Sequence, residues 1–401
     1  MSEILSDIKI LDLTRVVSGP WATQLLADMG ATVYKIERPV AGDDSRAMRP
    51  FWKDAEGKDT NETAFYLFAN RGKQSITVDT AQPEGAALVR ELAAKCDVMI
   101  DNFKAGGLKK YGLDYESIRK INPSIVYCSI TGFGQDGPFA ARPAYDSVMQ
   151  AIAGMMSMCG EPDGPPMRTP LPISDVTTGY VAAVSILGAL WHRQKTGQGQ
   201  FIDTAMLDTT VQLNAQLAIA YLVMGEVPRR VGNVSPNIYP SGVFPTKNSE
   251  IIMVCPANRQ YESLCKLIGR PELIEDQRFK TNVLRRQNRP ELAVELTKAF
   301  VARTSEEWAE LLENAGVPCG AINSIEDVFN NPQVKHRGIR IEVPHPSGRT
   351  ATLMRSPLRF SETPVVHRSP PTLGQHTDAV LGGVLGKSAE EIARLRAGGI
   401  V

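Results

Sequence analysis

The chain has 401 residues, 43% of them hydrophobic, and its 44 Lys plus Arg are matched by 44 Asp plus Glu; this exceeds one compact core, so two lobes or an elaborated α/β unit with room for a deep cleft are expected. Zero formal charge without a clustered basic stripe argues against nucleic acid as a partner. The acidic start, Met-Ser-Glu-Ile-Leu-Ser-Asp, lacks the features of a secretory signal, and the longest apolar run, around Tyr180 to Trp191, falls short of the ~20 residues that span a bilayer, so no membrane association and a cytoplasmic location are expected.

In chain order, the first third alternates short β-branched runs with helical patterns, the mark of a parallel sheet with crossover helices. Ile8 to Leu13 reads as a strand, Gly19-Pro20 opens a helix with Leu25, Leu26 and Met29 on one face, and Thr32 to Ile36 returns as a second strand. From Asp43 to Asn61 the rhythm breaks, which predicts a long loop. It resumes with a strand at Ser75 to Val78, a helix from about Pro83 to Lys95, and strands at Val98 to Ile100 and Ile125 to Ile130. From Asp175 a helical pattern runs to about Thr196, where Gly197 and Gly199 stop it. A strand at Phe201 to Thr204 and a helix over Met206 to Met224 follow. Composition then shifts to Pro, Gly, Asn and Arg between Gly225 and Tyr239, as in a linker. Ser241 to about Gly320 carries a short strand, Ile251 to Val254, and amphipathic helices. Strands near Ile339 to Val343 and Thr350 to Met354, a Pro-rich stretch and a last helix at Ala389 to Ala397 complete the chain.

Six cysteines, Cys96, Cys128, Cys159, Cys255, Cys265 and Cys319, form no CxxC pair and read as buried free thiols. Five histidines, His192, His336, His345, His367 and His376, show neither HxxxH nor HExxH spacing, so no metal is expected. Glu37 ends the second strand where a ribose-binding acid would sit. The first turn, however, reads Thr-Arg-Val-Val-Ser-Gly-Pro-Trp, and without G-x-G-x-x-G the backbone has no close approach to a pyrophosphate. The remaining candidate is Asp175, in Pro-Ile-Ser-Asp-Val-Thr-Thr-Gly just before a long apolar helix. Such a carboxylate is an N-cap, or a nucleophile aimed into a cleft with its pKa kept low by the helix dipole.

Leu11-Asp12 followed by Gly19-Pro20, Lys35 to Pro39, Asn70 to Ile76, Asp101-Asn102-Phe103 and Tyr127 to Gly134 resemble, in the same order, segments of the class III (formyl-CoA-transferase-like) CoA-transferases. Arg142 to Asp146, the Asp175 motif, His192 to Gly199 and Leu373-Gly374-Gln375-His376-Thr377 extend the resemblance over nearly the whole chain. It implies that Asp175 is the catalytic nucleophile, passing CoA from an acyl-CoA to an acid through an aspartyl anhydride and an aspartyl-CoA thioester. It also implies CoA contacts at Val17, Ser18, Arg38, Val78, Thr80, Asn102, Phe103, Lys104 and Lys110, with a surface ion pair to Glu37 or Asp43 as the alternative for Arg38, and core packing for Phe103 and Val78. Val17 and Pro143 stand where formyl-CoA transferase has a glutamine and a lysine, which argues against oxalate and formate; Arg142 is the neighbour that compensates. No glycine-rich loop lies between Gly232 and Met253, and Ser241-Gly242 is the shorter substitute for its oxyanion contacts.

A racemase of the α-methylacyl-CoA type shares the resemblance but needs a histidine where Tyr145 stands. Tyr145 and Asp146 instead orient an acceptor carboxylate, or Tyr145 packs. An inactive CoA-binding scaffold is the remaining alternative. Asn258 to Val401 resembles the succinyl-CoA-dependent glutarate and hydroxymethylglutarate enzymes, so succinyl-CoA and a short dicarboxylic acid are the expected substrates, with no tightly bound cofactor. The fold expected is α/β: a Rossmann-like large domain (1–224), a smaller α+β domain with linkers (225–325), and a C-terminal part (326–401) returning to the large domain. The resemblance implies an interlocked homodimer.

Overall fold

A computed structural model describes residues 3–401; Met1 and Ser2, which open the stretch read as lacking a signal, lie outside it. The chain forms two compact units. Of the described residues, the first takes 3–155, 168–226 and 338–401, and the second 156–167 and 227–337.

The first unit opens with β1 (Lys9–Asp12), α1 (Ser18–Asp28) and β2 (Thr32–Glu37). The segment expected as a loop contains a hairpin, β3 (Phe51–Lys53) and β4 (Asp59–Thr63), followed by α2 (Ala64–Ala69). Its strands escaped the sequence pattern because they are short and β4 is wholly polar; their apolar contact is distant, with Trp52 edge-on to His345 at 4.9 Å between centroids. Next come β5 (Gln74–Thr77), α3 (Pro83–Ala93), β6 (Val98–Asp101), α4 (Tyr115–Ile121) and β7 (Val126–Thr131). Then follow α5 (Asp146–Ile152), a single turn α6 (Met155–Met158) at which the chain passes into the second unit, and, back in the first, α7 (Ile173–Thr196), β8 (Gln200–Ala205), α8 (Met206–Gln212) and α9 (Ala215–Met224). The last two were expected as one helix; the chain breaks at Leu213-Asn214, and Ala215 adopts φ 46°.

Strands β1, β2, β5, β6, β7 and β8 form one parallel sheet in the order β5-β2-β1-β6-β7-β8. Ile10, Leu11, Val98, Met99 and Ile100 are fully buried, which is how strands covered on both faces read. One core holds Leu11, Ile76, Val89, Met99 and Tyr127, and the other Ile10, Leu26, Val98, Ala182 and Ile186. Helix α1 is buried along its length and packs against α7. Their approach depends on Gly179, where a Cβ would lie 2.6 Å from the Ser18 carbonyl oxygen and 2.9 Å from Trp21 Cδ1. Gly197, at φ 73°, ends α7 in the left-handed conformation.

The apolar run expected to be too short for a bilayer belongs to this 24-residue α7, which is long and apolar enough to cross one by length and composition. One side of it lies against α1, β7 and β8, and its last turn carries Arg193 and Lys195. The unit closes with the antiparallel pair β12 (Arg340–Pro344) and β13 (Thr350–Met354), then α17 (Thr377–Gly383) and α18 (Ala389–Ala397).

The second unit is built on the antiparallel sheet β11-β10-β9, from β9 (Ser241–Pro245), β10 (Glu250–Val254) and β11 (Cys319–Ala321). Seven helices, α10 (Asn258–Leu267) to α16 (Pro332–His336), surround it, with a core of Tyr261, Leu264, Phe279, Leu296, Phe300 and Trp308. Ser241 and Gly242 are strand residues opposite Val254 and Met253, not a free loop, because β10 claims that stretch for its ladder. Cys159 is exposed and Cys319 half-buried, against the expectation of six buried thiols; the other four are buried, and none is bridged.

Candidate active site

At the carboxyl ends of β1, β6 and β7 lies a cavity of about 430 Å³, the place where parallel sheets of this kind bind ligands. Arg15 to Ser18, Asn102 to Lys104, Ile130 to Gly132, Arg142 to Tyr145 and Asp175 line it. A second cavity of about 190 Å³ is lined by Arg38, Val78, Thr80 and Tyr111 and shares Arg15 and Phe103 with the first. Of the residues picked out by sequence, Lys110 and Asp146 line neither. Lys110 places its ammonium 4.6 Å from the centre of the Tyr111 ring.

The loop after β1 is held from both sides. Asn102 accepts the Arg15 N–H at 2.9 Å and donates to the Arg15 carbonyl at 2.7 Å. Val16 donates its N–H to Asp43 Oδ1 at 3.1 Å. Val16 has φ 71°, a left-handed conformation that a β-branched residue adopts only under external constraint. The Asn102 side chain is thus spent on the loop, and Val17 and Val78 are core residues, 2% and 1% exposed. Tyr145 does not pack, being 67% exposed.

Beneath the loop is a closed cluster of charges. Lys35 donates to Asp43 Oδ2 at 2.7 Å and to the Thr14 carbonyl at 2.9 Å. Lys73 reaches Asp12 Oδ2 at 3.1 Å, Asn70 Oδ1 at 3.0 Å and the Pro20 carbonyl at 2.9 Å. Burial alone would raise the Asp43 carboxyl, yet Lys35 and the hydrogen bonds of Ser45 hold it far below the usual carboxylate range. Glu37 is likewise closed off by Arg46 (2.7 and 2.9 Å) and Ser75 (2.6 Å), which leaves no ribose-binding acid. Arg38 therefore pairs with neither Glu37 nor Asp43 but with Asp44, which also takes Arg15 at 3.1 Å. Arg15, whose guanidinium lies 4.7 Å from the Phe103 ring centre, and Asp44 were missed by sequence; the one available signal was the position of Arg15 just past the carboxyl end of a first strand.

Asp175 is the third residue of α7, not its N-cap, which is Pro172. The cap comes from 29 residues away: Asp146 accepts the Ser174 N–H at 2.8 Å and the Asp175 N–H at 3.2 Å. The expectation of a low pKa is reversed. Burial, followed by the nearby Asp146 charge, pushes the Asp175 carboxyl up to about 7, against a hydrogen bond from Ser18. The dipole's amides are already occupied by the other carboxylate, so they no longer favour the Asp175 anion. Lys104 and Arg142 line the same cavity, and among the described residues neither is paired with a carboxylate; the Arg142 guanidinium stacks 3.7 Å from the centre of the Phe139 ring. No group of three or more His, Cys, Asp or Glu suited to a metal occurs among the described residues.

A half-buried carboxylate in a strand-end cleft that Arg15, Lys104 and Arg142 also line suits nucleophilic acyl chemistry. The family model described as CoA-transferase family III matches residues 5–377. The chain belongs to CoA-transferase family III. It is 42% identical over 379 residues to the succinate–glutarate CoA-transferase of Agrobacterium fabrum, covering 94% of each chain. It is 40% identical over 398 residues to the succinyl-CoA:glutarate CoA-transferase of Homo sapiens, covering 99% of this chain and 90% of that protein. Among solved structures, a CaiB/BaiF family protein from Brucella suis superposes with a TM-score of 0.87 at 40% identity, covering 96% of this chain and 100% of that one.

This CoA-transferase is accordingly an enzyme whose substrates are an acyl-CoA and a carboxylic acid. Several of the blocks that carried the resemblance hold the frame of the site. Lys73 and Asn70 belong to the charge cluster. Gly374 donates its N–H to Ser75 Oγ at 2.9 Å, and Thr377 Oγ1 accepts the Thr77 N–H at 3.0 Å, bracing β5.

Proposed function

We propose that this transferase moves CoA from succinyl-CoA to a short dicarboxylic acid, with Asp175 as the carrier. The observation that carries the reading is the Asp175 carboxyl in the first turn of α7, in one cavity with Arg15, Lys104 and Arg142. Asp175 Oδ attacks the thioester carbonyl, the C–S bond breaks, and CoA leaves as thiolate, giving a mixed anhydride. The thiolate then attacks the Asp175 carbonyl carbon, releasing the donor as carboxylate and leaving an aspartyl-CoA thioester. The acceptor carboxylate attacks that thioester, and the thiolate takes up the acceptor's acyl group, restoring Asp175. Lys104 and Arg142 supply positive charge for anionic intermediates and for carboxylate ends.

Arg38, Thr80, Phe103 and Lys110 form the CoA side of the site, in and beside the smaller cavity, with the cation of Arg38 exposed for a phosphate. The similarity to succinyl-CoA:glutarate enzymes supports the dicarboxylate. The racemase alternative lacks its second base, since among the described residues no histidine lines the Asp175 cavity. The large unit is Rossmann-like, as its sheet order supports. The assembly is an interlocked homodimer working in the cytoplasm; the exposed apolar faces of α7 (Val184, Trp191) and α9 (Leu222, Val223, Met224) support the dimer.

Incubation with succinyl-CoA followed by hydroxylamine should convert Asp175 to a hydroxamate, seen as a mass change in one peptide. Asp175→Asn should cut transfer to dicarboxylic acids at least ~1000-fold, because the covalent route is lost. Undiminished transfer by that variant would refute the reading.

A further inference from the structure

One carboxylate beside Asp175 takes no part in the transfer steps. Asp146 opens α5 and its Oδ2 accepts the N–H groups of Ser174 and Asp175, first-turn amides that have no partner within α7. Its Oδ1 accepts the Gln150 side-chain amide at 2.6 Å. Gln150, 1% exposed, also donates to the carbonyls of Thr169 and Leu171 at 3.3 Å each and accepts the Thr169 N–H at 3.0 Å. One carboxylate and one amide thereby lock α5, the chain leading into α7 and the turn that bears Asp175.

A helix N-terminus ordinarily stabilises an anion. Here Asp146 has filled that place, so Asp175 finds the amides taken and a fixed negative charge beside it. In the anhydride and in the thioester the Asp175 carboxyl is uncharged, and only the free form meets the repulsion. We propose, resting on the reading of Asp175 as the carrier, that Asp146 is a positioning residue: held by Gln150, it aims the Asp175 carboxylate and disfavours its free anion relative to its acylated forms. A proton and an acyl group both remove the charge, so both are bound more firmly by the same repulsion. The upward push on the Asp175 carboxyl, from burial first and Asp146 next, agrees. Arg15, Lys104, Arg142, Asp44 and Tyr145 are the other charged or titratable groups lining the cavity, and Ser18 faces Asp175 from α1.

Asp146→Asn keeps an oxygen for the two amides and removes the charge. The full chain is assayed for the pH profile of kcat/KM and for the fraction of Asp175 carrying CoA at fixed succinyl-CoA and succinate, read by mass spectrometry. The acid limb should move down by about one pH unit and the CoA-bearing fraction ratio should fall by the matching factor, about tenfold, because one pH unit and a factor of ten are the same energy. If the Asn variant does not fold, Asp146→Ser, a smaller neutral cap, is read the same way. An unmoved acid limb with a wild-type CoA-bearing fraction overturns the proposal, however much turnover or melting temperature drops. Absence of any adduct in the wild-type chain would instead strike the reading of Asp175 itself, and the proposal with it.

Discussion

Two charged regions share the loop between β1 and α1, and they treat the same residue types in opposite ways. In the closed cluster of Asp12, Lys35, Asp43 and Lys73, every charge is paired and none of the four side chains is exposed. Its carboxylates are held ionised, and its work is to fix a strained Val16. In the open cavity, among the described residues, Asp175 has no cationic partner, its charged form is disfavoured, and Lys104 and Arg142 stand without carboxylates. Whether a carboxylate is structural or chemical is therefore decided by how completely its neighbours satisfy it, not by depth alone.

The largest effect should come from breaking the closed cluster. Lys35→Met leaves the Asp43 carboxylate buried without its cation, and a loss of about 3–5 kcal/mol is expected in denaturant unfolding. A loss below about 1 kcal/mol would mean that the cluster is no more structural than the cavity, and the contrast would collapse. A smaller effect tests the junction of the two regions. Gly179→Ala drives a Cβ into the Ser18 carbonyl and Trp21, costing about 1–3 kcal/mol by overpacking. Because Ser18 also bonds Asp175, turnover of the folded variant should fall by more than that destabilisation explains; unchanged kcat in folded protein would show that the α1–α7 distance does not govern the carboxylate.

The sequence conveyed the parallel sheet well, since Ile10-Leu11, Val33-Tyr34 and Val98 to Ile100 form runs that only strands buried on both faces tolerate. It conveyed Asp175 only as an acidic residue at a helix start, with a resemblance to say what such a residue does. What it did not convey was non-local. The cap of α7 comes from Asp146, 29 residues earlier, so local reading credited Asp175 with the amides and with a low pKa. Asp44 joins Arg15 and Arg38 across sequence gaps of 29 and 6 residues, and the β3–β4 hairpin depends on His345, about 290 residues away. No spacing rule reaches that far.

The smallest expected effect gives the cleanest contrast. The Asp175 carboxyl sits at about 7 in the fold against an ordinary 3.8, so the folded chain holds that proton more tightly than the unfolded one. The cost of ionising it is absent below the ordinary value, grows as pH rises towards 7, and is complete above. Asp175→Asn removes a charge that the fold disfavours, so it should stabilise at pH 8, by about 1 kcal/mol after allowance for partial exposure, or roughly 1–2 °C in Tm. The gain should shrink by more than half at pH 5. Asp43→Asn should do the reverse: the Asp43 carboxyl is held low, so its contribution is full above the ordinary carboxylate range, and the variant should lose stability at pH 8. A destabilised Asp175→Asn at pH 8 would place Asp175 among the satisfied carboxylates, and the distinction between the two regions would fail at its most sensitive point.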